Sequence, residues 1–169
     1  MRVFIHFADE LRRRLNALAP WFGLLLLRLV IGWEFLEAGL AKYQGQNWFG
    51  DVQSRFLFPF NLLPAEFNWN LAMGFELVGG VALIFGLGTR FFAATLIVLT
   101  VVATAAVHWP AEWQTIGELL RGYGITDRGH GNFKLPVIFV AMLIPLVLQG
   151  GGRLGIDGWV LARWFRPRG

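Results

Sequence analysis

Four ionisable residues stand inside otherwise apolar stretches of this sequence: Arg28, Glu34, Glu37 and Glu76. Lys42, His108 and Lys134 stand at the margins of such stretches. A charge near the centre of a bilayer costs about 3 kcal/mol even on lenient insertion scales. Such groups are therefore either paired or part of a site for a proton, ion or ligand. At about 1.5 Å per helical residue, Glu34 counted from Trp21 and Glu76 counted from Trp69 reach a similar depth on different helices, roughly 10 Å below one face of a 30 Å core. Glu37, Lys42, His108 and Lys134 lie nearer that face. Carboxylates, lysines and a histidine so placed can donate and accept protons around a buried ligand. Glu34, Glu37, Lys42, Glu76 and His108 are thus the candidates for a ligand pocket or proton site. Arg28, Arg90 and Lys134 are candidates for structural charge pairs, and pairs such as Glu34–Lys42 or Glu76–Arg28 could equally serve only to lock helices together.

Other chemistry has little support. His108 and Glu112 stand four residues apart, a chelating spacing on a helix, but Pro110 interrupts the turn, and three histidines in the whole chain argue against a metal site. There are no cysteines, so iron–sulfur ligation, disulfides and thiol exchange are excluded. No catalytic Ser-His-Asp set, phosphate-binding loop or dinucleotide fingerprint occurs. The net charge of +4 does not indicate nucleic acid, because the basic residues flank apolar runs instead of forming one basic module.

The elements that must position these groups are membrane helices. Hydrophobic residues make up 56% of the 169 positions and charged residues 15%, against about 25% charged in a typical soluble domain. Four apolar stretches predict transmembrane helices near 21–41, 69–87, 91–107 and 135–148, in one membrane domain spanning 1–169. The expected fold is all-α, a four-helix transmembrane bundle. The fourth stretch is short for a span of about 20 residues. Pro136 suits a first helical turn, whereas Pro145 predicts a kink. Phe4, Phe7, Leu11, Leu15 and Leu18 recur at helical spacing and predict an N-terminal interfacial helix ended by Ala19-Pro20. Asp9, Glu10 and Arg12–Arg14 argue against reading this segment as a signal peptide. Two connections, 43–68 and 108–134, are rich in aromatic residues and predict short helices lying over one mouth of the bundle, with Asp51 and Arg55 at a helical pair spacing. Gly79 and Gly80, beside Glu76, predict a face where helices approach closely.

Four spans place both termini and the short turn at Arg90 on one side. That side carries nine Lys or Arg residues: Arg2, Arg12, Arg13, Arg14, Arg90, Arg153, Arg163, Arg166 and Arg168. The other side carries five. The positive-inside bias predicts a multi-pass protein of the bacterial inner membrane with both termini cytoplasmic and the aromatic loops outside.

Several motifs in this order resemble the DoxX family of small bacterial membrane proteins. They are Leu27-Arg28-Leu29-Val30-Ile31-Gly32 with Glu37-Ala38-Gly39-Leu40-Ala41-Lys42, then Glu76-Leu77-Val78-Gly79-Gly80 through Gly86-Leu87-Gly88-Thr89-Arg90. They continue with Gly122-Tyr123-Gly124-Ile125 and Gly131-Asn132-Phe133-Lys134-Leu135-Pro136, and end with Gly150-Gly151-Gly152-Arg153-Leu154-Gly155-Ile156-Asp157. Gly155 departs from the serine common in that last motif. The resemblance implies a four-helix membrane bundle associated with redox systems, like the related DoxD subunit of a thiosulfate:quinone oxidoreductase. Three functions follow as expectations. The first is a redox-linked subunit, part of a membrane oxidoreductase complex and not a stand-alone enzyme, holding a quinone-like amphipathic molecule, with no intrinsic cofactor. The second is a non-enzymatic assembly or scaffold protein for a partner oxidoreductase subunit. The third is a small transporter, disfavoured because no internal repeat is evident and four spans are few without homo-oligomers.

Overall fold

The structure is a computed structural model and describes residues 2–159. Among them every regular element is helical. Helix α1 spans Arg2–Gln44, α2 Phe49–Val52, α3 Ala65–Phe85, α4 Thr89–Ala103, α5 Ile116–Arg121 and α6 Lys134–Gln149. Two 3₁₀ turns, Gln53–Arg55 and Phe60–Leu62, lie between α2 and α3, and a π turn, Thr104–His108, extends α4.

Helix α1 packs along α3, α3 against α4, α4 against α6, and α6 returns to α1. Their shared core holds Ile31 and Phe35 of α1, Leu83 of α3, Ala93 and Leu96 of α4, and Leu143 and Leu146 of α6. The closest approach is glycine on glycine. A Cβ on Gly80 would lie 2.7 Å from the Gly32 carbonyl oxygen and 2.8 Å from the Leu36 nitrogen. Backbone cannot yield as a side chain can, so both positions must be glycine for α1 and α3 to meet here. Gly79, one position earlier, instead faces the Leu96 side chain of α4.

Two segments, Ala65–Phe85 and Thr89–His108, are long and apolar enough to cross a membrane. A third is available if the bent pair His6–Ala19 and Trp21–Gln44 counts as one span. With 16 residues, α6 reaches roughly 24 Å, short of a 30 Å hydrocarbon core. It stays helical through Pro145.

The N-terminal segment corrects an expectation. It does not end at Ala19-Pro20 but runs on as the first part of α1, which turns through 50° there. Proline removes one intrahelical hydrogen bond and crowds the preceding turn, which bends a helix without necessarily ending it. Phe4, Phe7, Leu11, Leu15 and Leu18 are all exposed, so the apolar stripe is left uncovered among the described residues. Its arginines pair locally, Arg12 with Asp9 and both Arg13 and Arg14 with Glu10. Arg163, Arg166 and Arg168, which entered the orientation count, lie outside the described residues.

The two long connections share one end of the packed helices, here the loop end. The Gly86–Gly88 turn, the stretch of α1 around Trp21 and the 150–159 segment form the turn end. Gly86 and Gly88 both take positive φ, 69° and 57°, which ends α3 and starts α4 within three residues. The first connection is a folded cap. Phe49, Phe56 and Trp69 pack with Ala106 of the π turn in a second core. Gln53 donates its side-chain amide to the carbonyls of Phe60, Asn61 and Leu63, holding the two 3₁₀ turns together. Asp51 and Arg55 fall on separate short turns and make no ion pair. In the second connection Thr115 caps α5 by accepting from Glu118 N–H. The Glu118 carboxylate accepts from Gln114 N–H at 2.8 Å, which holds its pKa below the usual carboxylate range.

Candidate functional site

Under the loop-end cap lies a cavity of about 380 Å³. Its walls come from the upper halves of α1, α3, α4 and α6 and from the cap, and they are mainly aromatic and aliphatic: Phe35, Phe49, Phe75, Leu99 and Phe139 among them. Two polar pairs interrupt these walls. The volume lies within the range of about 300–1,000 Å³ typical of small-molecule sites, and a few convergent polar groups in an apolar cleft is their usual composition.

The first pair joins Lys42, in the last turn of α1, to Glu76 in the middle of α3. Lys42 Nζ lies 2.8 Å from both carboxylate oxygens of Glu76 and donates to Oε1. The Glu76 side chain is 5% exposed and that of Lys42 18%. Helical phase explains the meeting. Ile31, Phe35, Ala38 and Lys42 follow one another at intervals of three and four residues, so they share one face of α1. Ile31 and Phe35 belong to the core, and that face therefore delivers Lys42 inward at the top of the helix.

The second pair joins His108 to Asn132. His108 Nδ1 lies 2.8 Å from Asn132 Oδ1, which accepts from the ring N–H. The Asn132 amide nitrogen is directed to the Ile125 carbonyl at 3.5 Å, which orients the amide this way round. His108 closes the π turn, whose one extra residue per turn shifts the phase of the helix face before the chain leaves at Trp109. Thr100 and Thr104 line the same wall, but each hydroxyl donates to the carbonyl four residues back. Asn68 is buried at the top of α3 and donates to the Phe60 carbonyl at 2.7 Å, pinning the cap onto the helix.

Lys42, Glu76 and His108 are therefore brought together on one cavity, as their depth suggested. Glu34 and Glu37 are not: both are exposed and neither lines the cavity. Depth along a helix places a residue in height only, and these two differ from Lys42 in rotation about the axis. Lys134, at the start of α6, stands over the Tyr123 ring, 5.6 Å from its centroid, and has no carboxylate partner among the described residues. Asn132 and Asn68 were missed in the reading of the site, whereas the aromatic connections were expected over the bundle mouth. Asn132 alone carried a signal, since it lies in the Gly131-Asn132-Phe133-Lys134 motif.

Arg28 belongs to the opposite end and pairs with neither Glu76 nor Glu34. It is 1% exposed. Nη1 donates to the Gly151 carbonyl at 2.5 Å and Nη2 to that of Leu154 at 3.4 Å. Gly86, Gly151 and Gly155 crowd the guanidinium so closely that a Cβ on any of them would press against it. The glycine-rich 150–157 segment is thus a socket for this arginine. Asp157, from the same segment, accepts from Gly88 N–H and Thr89 N–H, both at 2.8 Å, and caps α4. Arg90 donates to the Leu148 carbonyl at 3.2 Å. Both arginines hydrogen-bond to carbonyls in place of the expected carboxylates. Among the described residues no three His, Asp or Glu side chains are grouped to hold a metal ion.

Comparison with known proteins places the chain in a family. The DoxX family model matches residues 23–109, from the first turns of the apolar part of α1 to the end of the π turn. A Haemophilus influenzae protein described as uncharacterized is 43% identical over 144 residues, 85% of this chain and 87% of the relative. A Bacillus subtilis protein named "Putative oxidoreductase CatD" is 39% identical over 138 residues, 82% of this chain and 87% of the relative. No solved structure matches the chain. The matched span includes Arg28, Lys42, Glu76 and His108, and on these grounds the chain belongs to the DoxX family.

Proposed function

We propose that this protein is a four-helix membrane subunit of a redox-linked system, and that its loop-end cavity holds a quinone-like amphipathic molecule. The observation that carries the reading is the cavity itself: aromatic walls of about the right volume, open to two polar pairs, Lys42–Glu76 and His108–Asn132. A quinone ring would lie against Phe35, Phe75 and Phe139, one oxygen would take a hydrogen bond from the Lys42 ammonium, and the His108 Nε2, whose ring gives its Nδ1–H to Asn132, would accept one from a quinol hydroxyl. Reducing a quinone to a quinol adds two electrons and two protons. The ionisable pair can hold and pass protons. The electrons would come from a partner oxidoreductase, since the chain has no cysteine for a redox centre. The redox-linked role draws on the name of the Bacillus subtilis relative. In the proposed orientation, in a bacterial inner membrane with both termini cytoplasmic, the cavity opens toward the outer leaflet.

Quinone content of the purified protein tests this reading. Glu76→Gln keeps the side-chain shape and removes the charge. Wild type should retain quinone through purification and the folded variant should retain less. Absence of quinone from both, with full activity of the assembled complex in the variant, would overturn the pocket.

One observation favours a second reading, an assembly protein for a partner subunit. Glu34 and Glu37 point outward from a helix otherwise suited to lipid. Exposed carboxylates at this depth are costly in lipid and become stable when a neighbouring subunit covers them. Crosslinking from position 37 to a co-purifying protein would support it, and labelling by lipid alone would not.

A further inference from the structure

The turn end carries a second cavity, unrelated to the first. It is an open groove of about 1510 Å³ between the start of the apolar part of α1, the Gly86–Gly88 turn and the end of α6. Its walls are apolar, with Leu24 and Leu27 on one side and Phe91 and Pro145 on the other. Its rim is basic, formed by Arg90 and Arg153.

Both guanidinium groups are fixed but not neutralised. Arg153 stacks on the Trp21 ring, 5.4 Å from its centroid, and Arg90 is tied to the Leu148 carbonyl. Neither pairs with a carboxylate among the described residues. Asp157 is the one acid on the lining, and each of its oxygens already accepts a backbone N–H. Residues 160–169 add three arginines and no acid to the sequence. Among the described residues the groove thus sets two arginines against one carboxylate beside apolar walls, at the level where Trp21 and Trp159 stand. Tryptophan at that level marks the boundary between headgroups and acyl chains.

We propose that this groove is a binding site for an acidic phospholipid. Its phosphodiester would sit between Arg90 and Arg153, and an acyl chain would lie along Leu24, Leu27 and Pro145. The two parts of the site select the two parts of the ligand. Guanidinium groups recognise phosphate oxygens through paired N–H donors, and basic pockets between membrane helices capture anionic headgroups. A soluble phosphate would leave the apolar walls wet. A zwitterionic lipid would fill the walls but bring its own cation to a rim that already holds two.

The test uses the full-length protein in detergent supplied with equal amounts of phosphatidylglycerol and phosphatidylcholine, with retained lipid read by native mass spectrometry. Wild type should retain phosphatidylglycerol in preference. Arg90→Gln with Arg153→Gln should lower that retention by about thirtyfold, the effect of removing two basic contacts at a membrane surface. Arg55→Gln with Arg121→Gln makes the same change in net charge at the loop end and should leave retention unchanged. Equal retention of the two lipids by wild type would overturn the proposal. So would equal losses in the two double variants, which would mean that net charge alone decides. The lipid preference of wild type needs no variant, so that arm decides even if the first double variant fails to fold.

Discussion

Lys42 on α1 and Glu76 on α3 hold each other across the cavity, with the ammonium nitrogen 2.8 Å from both carboxylate oxygens. Removing one member of so buried a pair leaves the other without a counter-charge. Lys42→Met should therefore destabilise the protein by roughly 3 kcal/mol. Lys42→Met with Glu76→Leu removes both charges and should recover most of that loss. Unfolding by denaturant in detergent, run as a double-mutant cycle, checks it; additive losses would mean that the pair contributes no coupling.

Arg28 is held by carbonyls of the 150–157 segment, so its replacement acts on that segment. Arg28→Met should cost about 3 kcal/mol, from two charge-assisted hydrogen bonds and a vacated socket. It should also expose 150–157 to protease. A variant with wild-type protease resistance and stability would contradict the socket.

Asp157 accepts the first two N–H groups at the start of α4, where a negative charge also meets the positive end of the helix dipole. Asp157→Ala should cost about 1–2 kcal/mol. Amide hydrogen exchange at Gly88 and Thr89 should accelerate while exchange in the middle of α3 stays slow. Unchanged exchange at those two amides would mean that the carboxylate is not their acceptor in solution.

Gly80→Ala places a methyl group against the backbone of α1. The two helices must separate, and the Lys42–Glu76 distance must grow with them. Expected are a lower melting temperature and weaker retention of any cavity ligand. Gly50→Ala, where a Cβ meets open space, serves as the control and should change neither.

Orientation can be read with cysteines, since the wild type has none. Ser54→Cys and Thr126→Cys, both exposed at the loop end, should react with a membrane-impermeant thiol reagent added to intact cells. Arg12→Cys should react only after the cells are opened. The opposite pattern would reverse the assignment of the two faces.

Much of the helical framework was legible because long apolar runs leave little choice of structure. The stretches read as 69–87, 91–107 and 135–148 correspond to α3 at 65–85, α4 with its π turn at 89–108, and α6 at 134–149. The site was legible in part. Height along each helix drew Lys42, Glu76 and His108 to one level, and the structure places all three on one cavity. It also drew in Glu34 and Glu37, which do not line that cavity. The face that runs through Ile31, Phe35 and Ala38 to Lys42 sets Glu37 aside, but Glu34, three residues after Ile31 and four before Ala38, flanks that face, and spacing alone does not separate it. The partners of Arg28 were not legible, because nothing local links Arg28 to a glycine-rich segment 123 residues away. The π turn was equally hidden, since one extra residue in a helical turn leaves no mark in composition.

That long separation between Arg28 and Gly151 bears on how the chain is made. A ribosome delivers α1 to the membrane well before it has translated the carbonyls that receive its guanidinium. Through most of synthesis, then, α1 carries an uncompensated cation, even after α3 and α4 have emerged and packed beside it. A segment that appears only after α6 is the one that satisfies α1. A nascent chain interrupted after α6 would hold all its hydrophobic helices and still bear a buried charge without acceptors. Such a mark would let membrane quality control tell an unfinished copy from a finished one.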